Sequence, residues 1–161
     1  MYTKVLMKKL NNIISRICSS NRNRDVILYE HFSSYISESL NYLNITHKSL
    51  NNLRLLTKLD SDKLLLLCID ENTLNHKEIY GEIGSIILKH PNHIIVINRS
   101  DHNYLENQIH ESLMSLGFKL NAQNNHDDVI FLFYTYNISD YKNTPDWLNS
   151  DNWANPKLWE K

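Results

Sequence analysis

The sequence predicts an α/β domain of three layers, in which helices cover both faces of a sheet that ends in an antiparallel hairpin. Short apolar runs alternate with segments whose apolar residues repeat every three or four positions, which is the pattern of alternating strands and helices. The run Leu64–Ile69 is apolar throughout, as in a strand buried on both faces of a parallel sheet. The last two strand-like runs are too close together for a helix to connect them, so they must pair antiparallel.

The first half of the chain predicts five elements in order. Apolar residues between positions 6 and 17 share one face of a first helix. Positions 26–29 are β-branched and aliphatic, which predicts a strand, and apolar residues between 32 and 43 return to helical spacing. Positions 45–47 predict a short strand. Leucines at every third position from 50 to 59 predict another helix.

Two sequence patterns predict the helix and the strand that follow in the second half of the chain. After the strand Leu64–Ile69, Asn75 is followed three residues later by Glu78, which resembles a capping box and predicts the start of a helix. Isoleucines between 79 and 87 form the buried stripe of that helix, and positions 94–97 predict the next strand.

The last helix has a predicted cap at each end. Ser100 or Asp101 is expected to be the N-cap of a helix whose apolar positions run from 105 to 116. Gly117 follows the last periodic residue, where a C′ glycine belongs.

The hairpin then consists of a strand at 118–122, a turn at 124–128 and a strand at Val129–Tyr136. Apolar residues fall on both faces of this last strand, so we expect it to lie inside the sheet. Together these elements describe a Rossmann-like three-layer domain with an antiparallel ending.

Composition excludes several classes of protein. The 161 residues suit one domain, and a formal net charge of −1 excludes a chain that binds a polyanion through bulk charge. Only three residues are glycine, where an average content of about 7 % would give about eleven, so a Gly-rich phosphate loop is excluded. Cys18 and Cys68 are expected to be reduced, buried thiols. Residues 1–10 mix lysines with apolar residues and do not form a secretory signal, which predicts a cytoplasmic protein with no membrane span.

The order of elements from 26 to 136 resembles the fold of the S-adenosylmethionine-dependent methyltransferases, whose sheet finishes with such a hairpin inserted beside the last parallel strand. The segment from 136 to 159, which contains three tryptophans, resembles the ending of a small gamma-proteobacterial family of methyltransferase-like proteins. These resemblances imply a methyltransferase-like domain at 1–137, in which 1–24 form an N-terminal helix and loop, and a Trp-rich tail at 138–161.

The chain departs from that family where the cofactor would bind. In the methyltransferases, the first strand runs into an acidic, Gly-rich loop that lets the backbone approach S-adenosylmethionine. Positions 28–34 contain no glycine here, so side chains would fill that volume and the torsions open only to glycine are unavailable. Positions 49–52 contain no carboxylate where the family holds the ribose. We therefore expect a non-catalytic, methyltransferase-like binding module without a cofactor; the alternative is a divergent methyltransferase that binds S-adenosylmethionine.

Polar residues at the carboxyl ends of the predicted strands are the candidate site. Glu30, Asp70 and Glu71 are the candidate catalytic carboxylates, because ligands of open α/β sheets bind at that edge. Glu30, His31 and Ser33 are the candidate cofactor-binding residues. The competing interpretation is that the carboxylates are solvated loop residues beside helix N-termini.

The spacing of the histidines along the chain does not predict a metal site. His90 and His93 lie three residues apart, but Pro91 breaks the helix between them, and the chain has no zinc-binding motif. No metal is therefore expected.

The C-terminal tail carries Trp147, Trp153 and Trp159, spaced six residues apart in a polar segment. They either fasten the tail to its own domain or anchor a protein partner, because tryptophan is enriched among interface hot spots. Three lysines against three aspartates and one glutamate between 138 and 161 argue against nucleic acid.

Overall fold

The computed structural model describes residues 2–30, 34–72, 75–90, 92–100, 107–126, 129–136 and 138 of the chain, and of these the side chains of 2–6, 76 and 126 are not described. The strands are β1 (Val26–Glu30), β2 (His47–Leu50), β3 (Leu64–Ile69), β4 (Ile94–Ser100), β5 (Lys119–His126) and β6 (Val129–Tyr136). The helices are α1 (Tyr2–Ser19), α2 (Tyr35–Tyr42), α3 (His76–Glu78), α4 (Gly84–Lys89) and α5 (Gln108–Ser115), with a 3₁₀ helix at Leu53–Lys58 and a π-helical turn at Ile79–Ile83.

The six strands form one sheet in the order β2-β1-β3-β4-β6-β5. The first four strands in this order are parallel, and β6 pairs antiparallel with both β4 and β5. The predicted hairpin is therefore inserted beside β4, with β6 inside the sheet. This confirms the predicted α/β class and its antiparallel ending.

Two apolar clusters lie on opposite faces of the sheet and define the three layers. One face packs against α1 and α2 through residues such as Leu10 and Leu40. The other packs against the 3₁₀ helix, α4 and α5 through residues such as Leu56 and Leu113. Each side chain of β3 is at most 1 % exposed, because both layers cover this strand. The strand buried on both faces that the apolar run Leu64–Ile69 predicts is therefore confirmed.

Local capping signals are confirmed at two helix ends. Asn75 Oδ1 accepts hydrogen bonds from the amides of Lys77 and Glu78 at 3.0 and 3.1 Å, and Glu78 Oε2 accepts one from the Asn75 amide at 2.8 Å. This is the reciprocal arrangement of a capping box. Gly117 has a φ of 95°, and the Phe118 amide donates to the Leu113 carbonyl at 3.0 Å, which closes α5 in a Schellman motif.

The predicted leucine helix at 50–59 is wrong in part. Leu50 belongs to β2, and only Leu53–Lys58 is helical, as a 3₁₀ helix. A spacing of three residues matches the three residues per turn of a 3₁₀ helix better than the 3.6 of an α-helix, which explains the difference. The short strand predicted at 45–47 lies two residues later, at His47–Leu50.

Two boundaries in the second half are also corrected. Ser100 is the last residue of β4, and Asn107 is the N-cap of α5, so the predicted cap at Ser100 is wrong. β5 extends to His126, so the first part of the turn predicted at 124–128 is strand. Asp101, Leu105 and residues 127–128 lie outside the described residues. No helix among the described residues is long and apolar enough to cross a membrane.

Candidate functional site

Glu30 ends β1 and its carboxylate contacts the first turn of α2. Oε1 accepts a hydrogen bond from the Ile36 amide at 3.1 Å, and Oε2 accepts one from the Ser37 amide at 3.1 Å. The first amides of a helix have no partner within the helix and carry partial positive charge, so a carboxylate there is favourable. The N-terminus of the helix that follows β1 is thus held by the chain's own side chain.

Asp70 and Glu71 directly follow β3, and their carboxylates have different hydrogen-bond partners. Asp70 is 6 % exposed, and its Oδ1 accepts a hydrogen bond from the Asn72 amide at 3.0 Å, which closes the turn after the strand. Glu71 is exposed, and its Oε1 accepts a hydrogen bond from Asn107 Nδ2. The Asp70 carboxylate thus holds the turn after β3, whereas the Glu71 carboxylate contacts the residue that precedes α5.

Asn107 is the residue that sequence reasoning missed. Its Nδ2 also donates to Ser100 Oγ at 3.2 Å, and its Oδ1 accepts from the Ile109 amide at 2.7 Å. One side chain thus joins the ends of β3 and β4 and caps α5. The available signal was an Asn two residues before Ile109, the first buried position of the helix.

Glu30 ends β1, and Asp70 directly follows the neighbouring strand β3. Register places Glu30 beside Cys68. Burial, with a smaller contribution from the Glu30 carboxylate, raises the pKa of the Cys68 thiol well above its usual value. His31 and Ser33, the other candidate cofactor residues, lie outside the described residues, as do Trp147, Trp153 and Trp159.

A small cleft opens at the carboxyl ends of β1 and β2, with a volume of about 350 Å³. Tyr29 lies in its wall and is only 5 % exposed. Burial, followed by the carboxylates of Glu78 and Glu82, raises the pKa of the Tyr29 hydroxyl, so this group stays protonated at neutral pH. Arg54 Nε lies 3.1 Å from Glu82 Oε1 across the cleft. The remaining lining residues are Asn51, Asn52 and Leu53.

Two buried polar side chains near these elements have unsatisfied atoms. Asn98 in β4 is fully buried, and neither its side-chain nitrogen nor its oxygen has a hydrogen-bond partner. His90 is also fully buried; its Nε2 lies 2.9 Å from the Leu56 carbonyl oxygen, whereas Nδ1 is unpartnered. His90 thus connects α4 to the 3₁₀ helix. Within the described ranges, no group of three or more His, Cys, Asp and Glu side chains could hold a metal ion.

Residues 8–161 match a family described as a family of unknown function (DUF6231). The chain belongs to this family. No curated protein matches the sequence. In the six-stranded sheet of this DUF6231 chain the hairpin is inserted beside β4, which is the ending that the sequence resemblance implied. The gamma-proteobacterial placement stays a prediction.

Several solved structures are similar to the DUF6231 chain. Magnesium protoporphyrin IX methyltransferase from Synechocystis is 9 % identical with a TM-score of 0.49, covering 84 % of this chain and 82 % of its own. An S-adenosylmethionine-dependent methyltransferase from Clostridium acetobutylicum is 8 % identical with a TM-score of 0.48, covering 81 % and 92 %. Precorrin-6y C5,15-methyltransferase from Geobacter metallireducens is 10 % identical with a TM-score of 0.44, covering 78 % and 88 %. These likenesses concern the fold.

Proposed function

We propose that this DUF6231 protein is a non-catalytic, methyltransferase-like domain that does not use S-adenosylmethionine and acts by binding another protein. The position of the Glu30 carboxylate is the observation that carries the proposal. It accepts hydrogen bonds from the Ile36 and Ser37 amides, which are the backbone donors at the start of α2. A cofactor approaching these donors would have to displace a charged group of the chain itself, at the cost of two charge-assisted hydrogen bonds.

The end of β2 supports the same proposal. The strand ends at Leu50, and the next residues are Asn51 and Asn52, so no carboxylate stands where the resemblance puts the ribose ligand. The cleft at this position measures about 350 Å³, near the lower limit of the roughly 300–1,000 Å³ typical of small-molecule sites. The carboxylates that line it, those of Glu78 and Glu82, come from α3 and the π-helical turn and not from the end of β2.

Calorimetric titration of the full chain with S-adenosylmethionine tests the loss of the cofactor. We expect no heat of binding with ligand in the millimolar range. A dissociation constant in the micromolar range would overturn the proposal and favour the divergent methyltransferase. In that case Glu30→Ala and Asp70→Ala, compared with the exposed Glu111→Ala, would show which carboxylates the activity needs.

We assign the protein contact to Trp147, Trp153 and Trp159, on the basis of sequence. Large aromatic side chains in a polar segment have to bury their area, and tryptophan contributes strongly where it anchors a partner. Affinity capture with the full chain and with Trp153→Ala and Trp159→Ala variants tests this assignment. We expect specific proteins to be lost from both variants while the melting temperature is unchanged. An identical set of captured proteins would overturn it.

A further inference from the structure

We propose that a groove at the amino edge of the sheet is a binding site for a small organic anion with an apolar body. This amino-edge groove has a volume of about 730 Å³, well within the roughly 300–1,000 Å³ range of small-molecule sites. It lies where α1 ends and where β1 and β2 begin, since Val26 pairs with His47 in the parallel register. Val26 and Ile27 of β1 line it, and Glu30 lies about 10 Å further along the strand from Ile27. The groove shares no lining residue with the cleft at the carboxyl edge.

Four cationic side chains and one carboxylate line the groove, whereas the whole chain has a net charge of −1. Lys63 Nζ contacts Asp25 Oδ2 at 2.8 Å, so these two charges compensate each other. Arg22, Arg24 and Lys48 form no ion pair within the part of the chain that the structure describes. The groove thus concentrates uncompensated positive charge, which attracts an anion.

Arg24 is the anchored member of this set. Its side chain is half-buried, and Nη1 donates a hydrogen bond to the Asp62 carbonyl oxygen at 2.9 Å. A carbonyl oxygen is a neutral acceptor, so the guanidinium is held in place while its charge and its other N–H groups stay available. The field extends to His93, whose pKa is lowered by burial and then by Arg24. A positioned guanidinium suits the planar oxygens of a carboxylate, sulfonate or phosphate.

Apolar side chains supply the other half of the site. Val26 and Ile27 contribute from β1, and Leu43, Ile45 and Leu59 contribute from the neighbouring loops. Leu43, Ile45 and Leu59 are only partly buried, so they keep apolar surface that a ligand can cover.

The end of α1 at the groove is compatible with an anion. Carbonyl groups at a helix C-terminus repel anions. Here the Asn21 side chain donates to the Ile17 carbonyl at 2.9 Å, and the Ser20 and Asn21 amides donate to the Arg16 and Cys18 carbonyls. These bonds direct the carbonyl groups of residues 16–18 to partners within the chain. The ligand predicted by the groove is a carbon skeleton that carries one anionic head group.

Calorimetric titration of the full chain with decanoate tests the site, with decanol and decyltrimethylammonium as neutral and cationic probes below their aggregation limits. We expect saturable one-to-one binding of decanoate and at least tenfold weaker binding of the other two. Equal binding of decanol would mean an apolar surface without anion recognition, and absence of saturable decanoate binding would mean no open site; either result overturns the proposal.

Variants then locate the site. Arg22→Gln and Lys48→Gln change exposed side chains, so folding should be preserved, and we expect the double variant to bind decanoate at least tenfold more weakly. Lys9→Gln removes an exposed charge of α1 that is not part of the groove lining and should bind normally. Arg24→Gln should show the largest loss. Unchanged affinity in the folded double variant would overturn the proposal.

Cys18 provides a second readout because it lies in the groove lining, whereas Cys68 is buried. Bound decanoate should slow the reaction of Cys18 with a thiol-specific disulfide reagent, and Cys18→Ser should abolish that reaction in the native protein. A reaction rate that decanoate does not change would place the probe elsewhere and overturn the assignment. None of these measurements depends on S-adenosylmethionine, so a failure here is separable from a failure of the proposed function.

Discussion

Replacing Glu30 by alanine removes two backbone-to-carboxylate hydrogen bonds from the start of α2, each of 3.1 Å. Loss of a capping side chain costs about 0.5–2 kcal/mol, and loss of a favourable charge at a helix N-terminus costs about 0.3–1 kcal/mol. Glu30 is half-buried, so the values lie within these ranges and not above them. We expect Glu30→Ala to lower the free energy of unfolding by about 1–2 kcal/mol.

For a chain of this length, about 1 kcal/mol corresponds to a shift in melting temperature of about 2–4 °C. Urea denaturation followed by circular dichroism measures the change directly. Glu30→Gln keeps one oxygen acceptor but removes the charge, so its loss should be about half that of Glu30→Ala. Glu111→Gln is the matched control, because Glu111 lies in the first turn of α5 with an exposed side chain. If Glu30→Ala were as stable as the parent protein, the carboxylate would not hold α2, and the argument against cofactor binding would fail with it.

Three further predictions concern the interior. Asn98→Leu should raise the free energy of unfolding, measured by urea denaturation, by about 1 kcal/mol, because it removes two buried polar atoms that have no hydrogen-bond partner. A lower free energy of unfolding in this variant would mean that a bound water satisfies those atoms. Gly117→Ala should lower it by about 1 kcal/mol by the same assay, since φ is 95° there; an unchanged value would place the residue outside the left-handed region. Burial raises the pKa of Cys68, so unfolded chains lose this proton at lower pH than folded ones, and stability should fall as pH rises above about 8.5. Cys68→Val should weaken that fall; an identical pH profile would contradict the assignment.

The parts of the fold that could be predicted depend on neighbouring residues. The run Leu64–Ile69 is apolar at every position, so its burial follows from the sequence directly. The capping box at Asn75 and Glu78 depends on residues three apart, and Gly117 marks its own conformation. Each of these features is local.

The parts that could not be predicted depend on residues that are distant in sequence. Asn107 contacts Glu71 across 36 positions, and His90 contacts Leu56 across 34. Even Glu30, a candidate from the sequence, takes its role from amides six and seven residues later that only the turn into α2 brings near. The amino-edge groove combines the end of α1 with the loops after α2 and before β3, so no segment of sequence contains its pattern of charge.

The leucine-rich strand β3 also constrains how the chain can be handled while it is unfolded. Six successive apolar residues with no charge form the kind of segment that self-associates into cross-β assemblies when its coverings are missing. Asp62 and Lys63 precede it, and Asp70 and Glu71 follow it, as charged gatekeepers on either side. One face of β3 is covered by α1 and α2, and the other by the 3₁₀ helix, α4 and α5, so its coverings come from most of the chain. Truncated forms of this protein should therefore be prone to aggregation, and its synthesis should benefit from chaperones until β6 has been made.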